Sequence, residues 1–349
     1  MKEVIAKLDI RKLAKDEIKE LLISWGESKF RAKQIFEWLW LKGAISFDEM
    51  TNLSKDLRQK LSENFEIRTI QEDVVQNSAD GTIKTRYTLH DDHKIEAVLI
   101  PVPDDDRYTV CVSSQVGCSL TCKFCATGQM KRMRNLDPGE IYDQVRMVNE
   151  QCLEKYGHRL TNIVYMGMGE PLLNYANVME SIQLISSEEG LGFSPKRVTI
   201  STAGIAKMIR KLADDNSKVN LALSLHAADD AKRDEIMPIN EQNNLKVLME
   251  SLDYYYRQTR NKLSYEYITF KGYNDSEADA RNLVKLCKTF PVLINIIEYN
   301  PIEGVTYEKS DPLTIDDFAS YLRRNDVMVT VRKSRGKDID AACGQLANK

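Results

Sequence analysis

Cys118-Ser119-Leu120-Thr121-Cys122-Lys123-Phe124-Cys125 places three thiols within eight residues, at a C-x3-C-x2-C spacing. Three thiolates so spaced can converge from one loop onto a compact inorganic centre. Structural zinc takes four Cys or His ligands as a rule, and no neighbouring residue supplies a fourth. An iron–sulfur cubane usually takes four cysteines, so three leave one iron open to another ligand. The run just upstream, Thr109 to Ser113, reads as a strand, which puts this loop at a strand's end.

Downstream the pattern repeats as strand then helix. Candidate strands are Thr109 to Ser113, Asn162 to Met166, Arg197 to Ser201, Val219 to Leu225, Leu263 to Phe270 and Leu293 to Tyr299. Helical periodicity marks Pro138 to Lys155, Ala176 to Ser187, Ile205 to Asp214, Leu245 to Thr259 and Glu277 to Thr289. Such alternation predicts parallel strands with crossover helices, hence an α/β partial TIM-like barrel of (βα)6 type or a doubly wound sheet. The first strand-to-helix loop has no Gly-x-Gly-x-x-Gly, which weakens a dinucleotide-binding sheet. A last strand-like run, Val327 to Arg332, leads to a polar tail containing Cys343.

Upstream, apolar positions Ile10, Leu13, Ile18, Leu21 and Leu22 recur at helical spacing. A second helix is predicted from Lys29 to Leu41, after Ser28, and a third from near Ser54 through Leu61. Two strand-like runs, Ile83 to Leu89 and Lys94 to Ile100, predict a hairpin. The expected organisation is an N-terminal helical accessory domain (1–75), a β-hairpin extension (76–103), the barrel (104–337) and a C-terminal tail (338–349).

The 349 residues are 42% hydrophobic and 29% charged with 16 Gly and 9 Pro, which excludes a disordered or collagen-like chain. Lys and Arg total 49 against 52 Asp and Glu, a net charge of −3, so a nucleic-acid partner has to be held by local basic patches. Seven cysteines, an odd number with three clustered, point to a reducing compartment in which they serve as ligands or catalysts. The start, Met1 to Lys7, is charged from its second residue, and no stretch approaches the roughly 18 apolar residues of a membrane span. A cytoplasmic location is expected.

With Phe124 before its third cysteine, the motif resembles that of the radical S-adenosylmethionine (SAM) superfamily. The resemblance implies a [4Fe-4S] cluster on Cys118, Cys122 and Cys125, with SAM chelating the fourth iron. Further strings narrow it: Cys111-Val112-Ser113-Ser114-Gln115-Val116-Gly117-Cys118, Met166-Gly167-Met168-Gly169-Glu170-Pro171-Leu172-Leu173-Asn174, Ser224-Leu225-His226, Met237-Pro238-Ile239-Asn240 and Asp338-Ile339-Asp340-Ala341-Ala342-Cys343-Gly344-Gln345-Leu346. These resemble the RlmN/Cfr family, whose members methylate adenine in RNA by a radical route. The likeness reaches the first domain through Phe30-Arg31-Ala32-Lys33-Gln34-Ile35 and Met50-Thr51-Asn52-Leu53-Ser54-Lys55. It implies SAM binding by Gly169, Glu170, Ser201, Ser224, Leu225, His226 and Asn300, all at or after C-terminal strand ends, where βα barrels do their work. Taken singly, each is a turn glycine, a helix cap, a turn asparagine or a buried hydrogen-bonded side chain.

Among the other cysteines, Cys152 and Cys287 fall at helical positions and read as small core residues. Cys111 and Cys343 are, by location alone, either two unrelated buried thiols or a functional pair. The resemblance makes Cys343 a methyl carrier, Cys111 the thiol that resolves a protein–RNA adduct, and Glu96 the proton acceptor. By itself Glu96 reads equally well as an exposed glutamate on a hairpin.

Basic residues flank the motif (Lys123, Lys131, Arg132, Arg134), precede Cys343 (Arg332, Lys333, Arg335, Lys337) and form a patch at Lys29, Arg31, Lys33 and Lys42. Each is either a solvated face or an RNA contact. The resemblance implies C2 methylation of adenine in 23S rRNA and in tRNA, an electron donor such as flavodoxin with its reductase, and a monomer. C8 methylation of the rRNA adenine stands as an alternative, and so does a zinc-stabilised RNA-binding protein without catalysis.

Overall fold

The computed structural model describes residues 7–349; the charged stretch at 1–6 lies outside the described residues. The chain enters through β1 (Leu8–Asp9), which pairs in parallel with β2 (Phe65–Glu66) and closes a helical unit of α1 (Lys15–Ser24), α2 (Phe30–Phe36) and α3 (Lys55–Asn64). Ser54 starts α3 by accepting the Leu57 N–H at 3.2 Å, and Leu57 and Leu61 turn into the core. The helix expected from Lys29 to Leu41 ends at Phe36 and continues as a π-helical turn, Glu37–Leu41. Ala32, Ile35, Leu39 and Trp40 are buried along one stripe that runs on through this turn.

A ten-stranded sheet follows. Its first strands, β3 (Gln71–Asn77), β4 (Ile83–Thr88) and β5 (Lys94–Val102), run antiparallel, and β5 pairs antiparallel with β6 (Arg107–Cys111). The short pair β7 (Gln115–Val116) and β8 (Arg134–Asn135) brackets the cysteine loop. Then come α4 (Pro138–Tyr156), β9 (Asn162–Tyr165), α5 (Tyr175–Ser186), β10 (Val198–Thr202), α6 (Ala206–Asp214), β11 (Asn220–Ser224), α7 (Asp230–Ile236), α8 (Leu245–Thr259), β12 (Leu263–Thr269), α9 (Glu277–Leu286), β13 (Leu293–Glu298), α10 (Pro312–Arg324) and β14 (Met328–Arg332).

The sheet order is β14-β13-β12-β11-β10-β9-β6-β5-β4-β3, with every pair from β6 to β14 parallel. This is the expected α/β partial barrel: six helical crossovers, a closing parallel strand, and an open sheet whose edges are β14 and β3. Ile163, Ile200, Leu221 and Leu223 share one face of the central strands by register and are fully buried, while the opposite face, which carries Ser201, Ala222 and Ser224, turns to the barrel interior.

The expected hairpin is part of the same sheet, joined through the register Val98↔Cys111. The sequence reading passed over β3, whose Gln71-Glu72-Asp73-Val74-Val75-Gln76-Asn77 is mostly solvent-facing, as suits an exposed edge. It also passed over α7 and α10. For α10 the signals were present: Asp311-Pro312 at the start, then Ile315, Phe318, Ala319 and Leu322 on one buried stripe.

Candidate active site

The loop from β6 to α4 is shaped by tight backbone approaches. Gly117 has φ 73°, and a Cβ there would stand 2.3 Å from the Lys131 carbonyl oxygen. That approach brings Cys118 into a bridge with Lys131. The Cys125 N–H bonds to Cys122 O (3.2 Å), Gly128 N–H to Cys125 O (3.0 Å) and Lys123 N–H to Ile236 O (3.0 Å), which curls the loop beneath α7. Phe124 packs edge-on to His226, ring centroids 4.8 Å apart.

Cys118, Cys122 and Cys125 open onto one cavity with about 150 Å³ of water-accessible space. Burial raises all three thiols, Cys118 to about 11, and their mutual charge raises Cys118 and Cys122 further. As thiolates they therefore need a strongly positive partner to repay desolvation. Among the described residues no group of three or more His, Cys, Asp or Glu is arranged to hold a single metal ion. The donor set fits an iron–sulfur cluster, whose several irons supply the positive charge and whose corners are reached by separate thiolates.

The cavity's other walls come from C-terminal strand ends. After β9, Gly167-Met168-Gly169-Glu170 is stitched to the chain after β6: Ser114 N–H donates to Met168 O (2.8 Å), and Ser113 Oγ accepts the Met168 N–H (2.9 Å). Gly169, with φ 94°, lies against Gln115, whose Oε1 accepts the Glu170 N–H at 2.9 Å. Burial pushes the Glu170 carboxyl up to about 7, opposed by the N–H groups of Ala203 (2.8 Å) and Leu172 (3.1 Å) that it accepts. Ser201 and Ser224, on adjacent strands, stand Oγ to Oγ at 3.4 Å. His226, with φ 55°, is held neutral by burial, its pKa lowered to about 3, and its Nδ1 accepts the Ile268 N–H at 3.1 Å.

Gly169, Glu170, Ser201, Ser224 and His226 thus line the cavity together with the three cysteines and Cys343. Leu225 buries its side chain beside the cavity and offers only backbone, its N–H donating to Glu266 O (3.0 Å). Asn300 is not among the residues lining the cavity; it is buried beside the tail, its Nδ2 3.5 Å from the Cys343 carbonyl. Two residues escaped the sequence reading. Glu266 lines the cavity from β12, its Oε1 accepting from Asn295 Nδ2 (2.7 Å) and Ser264 Oγ (2.9 Å). Arg233, fully buried on α7, ties the strand-end loops by donating to Ala203 O (2.6 Å), Leu225 O (3.1 Å) and Ser224 O (3.2 Å).

The tail folds across the mouth. Ala126 N–H donates to Gly344 O (2.7 Å) and Thr127 Oγ1 to Leu346 O (2.7 Å). Cys343 is an exposed residue, while desolvation of its thiol by the surrounding protein raises it; Arg332 opposes that rise and Glu266 and Cys125 add to it. Cys111 is buried on β6, and its thiol is pushed up to about 12 by burial and by the nearby Cys343. Glu96 is fully buried on β5 and not an exposed hairpin glutamate; its Oε1 is 3.4 Å from Lys84 Nζ. All seven cysteines are free; Cys152 is in the core and Cys287 half-buried.

The basic patches are partly used internally. Arg134 forks onto Asp91 (2.6 Å) and Glu140 (2.7 Å), Arg332 meets Glu266 (3.4 Å), and Lys337 pairs with Glu298. Lys123, Lys131, Arg132, Lys333, Lys29, Lys33 and Lys42 are exposed, Lys42 lying 3.8 Å over the Trp38 ring. Among the described residues no helix is long and apolar enough to cross a membrane.

Comparison with known proteins gives the same picture. Residues 8–67 match the model of the ribosomal RNA large subunit methyltransferase N-terminal domain, and residues 112–284 that of the radical SAM superfamily. A protein of Flavobacterium johnsoniae named "Probable dual-specificity RNA methyltransferase RlmN" is 52% identical, covering 99% of this chain and 98% of its own length. The Anaeromyxobacter sp. "Dual-specificity RNA methyltransferase RlmN" is 43% identical, covering 97% and 90%. The crystal structure of a radical SAM methyltransferase from Sphaerobacter thermophilus superposes with a TM-score of 0.92 at 38% identity, covering 98% of this chain and all of that one.

Proposed function

The chain belongs to the RlmN family of radical SAM RNA methyltransferases, and from that premise we propose that it methylates C2 of a specific adenine in 23S rRNA and of an adenine in tRNA. The reading takes two SAM molecules per methyl group, a methyl carried on Cys343 and a transient protein–RNA adduct resolved by Cys111. The observation that carries it is the meeting of Cys343 with Cys118, Cys122 and Cys125 on one cavity, with Cys111 within electrostatic reach of Cys343.

Cys118, Cys122 and Cys125 would hold a [4Fe-4S] cluster, and Gly169, Glu170, Ser201, Ser224, Leu225, His226 and Asn300 would bind SAM beside it. Bound there, the pair supplies one-electron chemistry that removes hydrogen from an unactivated methyl group. Adenine C2 is an amidine carbon too weakly acidic to act as a nucleophile, so the chain presents its methyl carbon to the base on sulfur. After loss of a hydrogen atom, the carbon on Cys343 bonds to C2. Glu96 would accept the C2 proton while one electron passes to the oxidised cluster that Cys118, Cys122 and Cys125 would hold, which restores aromaticity. The Cys111 thiolate then attacks the Cys343 sulfur, a disulfide forms, and the C–S electron pair departs with the carbon and takes a proton to complete the methyl group.

A flavodoxin-type electron donor, a monomeric state and a cytoplasmic location belong to the same reading. The test is mass spectrometry of rRNA and tRNA from cells with and without the gene. Loss of 2-methyladenosine on deletion is expected; loss of 8-methyladenosine instead, or no change, overturns the assignment.

A further inference from the structure

We propose that Lys84 is a positioning residue for Cys343: with Glu96 it forms a buried clasp that grips the tail on both sides of this cysteine and sets where its sulfur stands. The proposal rests on Cys343 being the methyl carrier.

Lys84 on β4 is 2% exposed and Glu96 on β5 is fully buried. The registers Lys84↔Val98 and Arg86↔Glu96 make the two side chains diagonal neighbours on one face of the hairpin. Lysine is almost never buried without a specific partner. Here Nζ lies 3.4 Å from Glu96 Oε1 and donates to the Asp340 carbonyl at 3.4 Å. The other end of the pair, Glu96 Oε2, accepts the N–H groups of Ala347 (2.9 Å) and Asn348 (3.1 Å). One ion pair therefore holds the chain three residues before Cys343 and again four and five residues after it.

Other tail contacts along the hairpin involve more exposed groups, and Asn348 Nδ2 also donates to the Lys94 carbonyl at 2.9 Å. Asp338 accepts from Ser78 Oγ (2.5 Å) and the Ala79 N–H (3.1 Å), and Arg86 donates to Asn348 O (3.1 Å). A buried ion pair adds little net stability over apolar residues of the same volume, so its effect is chiefly on geometry. The backbone agrees: Asp340 sits at φ 51°, and a Cβ on Gly336 would stand 2.7 Å from Ala341 Cβ, so the loop carrying the cysteine is tightly folded where Lys84 meets it. The clasp also reconciles two demands on Glu96: Oε2 holds the tail, while Oε1, which accepts no hydrogen bond and faces Lys84, is the oxygen left to take a proton.

The test uses the full-length protein as isolated. The alkylation rate of Cys343 by N-ethylmaleimide is read on its own peptide by mass spectrometry, alongside amide exchange of residues 338–349 and of the barrel strands. Lys84→Met should raise the Cys343 alkylation rate about tenfold, the scale of losing one hydrogen bond to a charged group, and deprotect the Ala347 and Asn348 amides while the barrel stays protected. Lys84→Arg should restore most of both. Lys84→Met with Glu96→Gln leaves no orphan buried charge and provides the folded comparison should the single variant unfold; it should loosen the tail likewise. Wild-type alkylation and tail protection in whichever of these variants is folded overturns the proposal, and so does an unchanged kcat for RNA methylation in a folded Lys84→Met; a fall in kcat with KM for RNA unaltered in that single variant supports positioning. Absence of methyl from Cys343 in the wild-type enzyme with SAM would overturn the proposed function instead, and leaves the alkylation readout intact.

Discussion

Gly169 accepts φ 94° and a Cβ position 2.5 Å from Gln115 Cβ, so any side chain there must push the loop after β9 away from the loop that carries the cysteines. Gly169→Ala should destabilise the fold by ~1–3 kcal/mol and weaken SAM binding at least about tenfold, measured by thermal melts and calorimetric titration. On the proposed reading, Cys111→Ala should accumulate a covalent protein–RNA adduct, visible as a shifted band after RNA digestion, because no thiol would then attack the Cys343 sulfur; product release at the normal rate would count against a resolving role. Residues such as the three clustered cysteines were legible because their relation is one of spacing along the chain. Arg233 and Glu266 were not, since a lone arginine on a short helix and a lone glutamate in a strand carry no local sign that they close around a cavity.

At the scale of elements, β13 and the entry to the tail are joined by Glu298. Burial raises this carboxyl, but hydrogen bonds from Lys309, Lys337 and the Ser334 N–H (3.2 Å) outweigh it and bring it down to about 2. Its folded pKa lies below the ordinary 4.5, so its contribution is fully present above pH 4.5 and is lost as pH falls from there toward 2. Replacing it by Gln should flatten the pH dependence of stability in that window by ~1–2 kcal/mol after solvent screening, read from urea melts at pH 7 and pH 3. An unchanged pH slope would show that other carboxylates dominate. The helices and strands with strong periodicity were readable from the sequence. The polar edge strand β3 and the π-turn after α2 were not, because neighbours and burial, not local pattern, select them.

On the scale of the whole molecule, the accessory unit is fastened to the barrel at α4. Arg11 forms a buried fork onto both Asp143 oxygens (2.9 and 3.0 Å) and lies 5.5 Å over the Trp40 ring, while Tyr142 donates to the Trp40 carbonyl and packs edge-on to that ring at 5.1 Å. Arg11→Met leaves the Asp143 charge buried with only the Ile70 N–H (3.3 Å) to satisfy it, and should cost about 3–5 kcal/mol, measured by chemical denaturation. A loss below about 1 kcal/mol would show the pair to be solvated and dispensable. Spacing and periodicity along the chain were sufficient for the cysteine motif and the strand–helix alternation, and short strings of residues carried the family resemblance, since each is written in residues a few positions apart. Folding alone brought Lys84 to Asp340, Glu96 to Ala347 and Arg11 to Asp143, across 256, 251 and 132 positions. The reason is geometric: sheet order and the convergence of strand ends determine which distant side chains share a buried volume, and burial then makes their pairing obligatory.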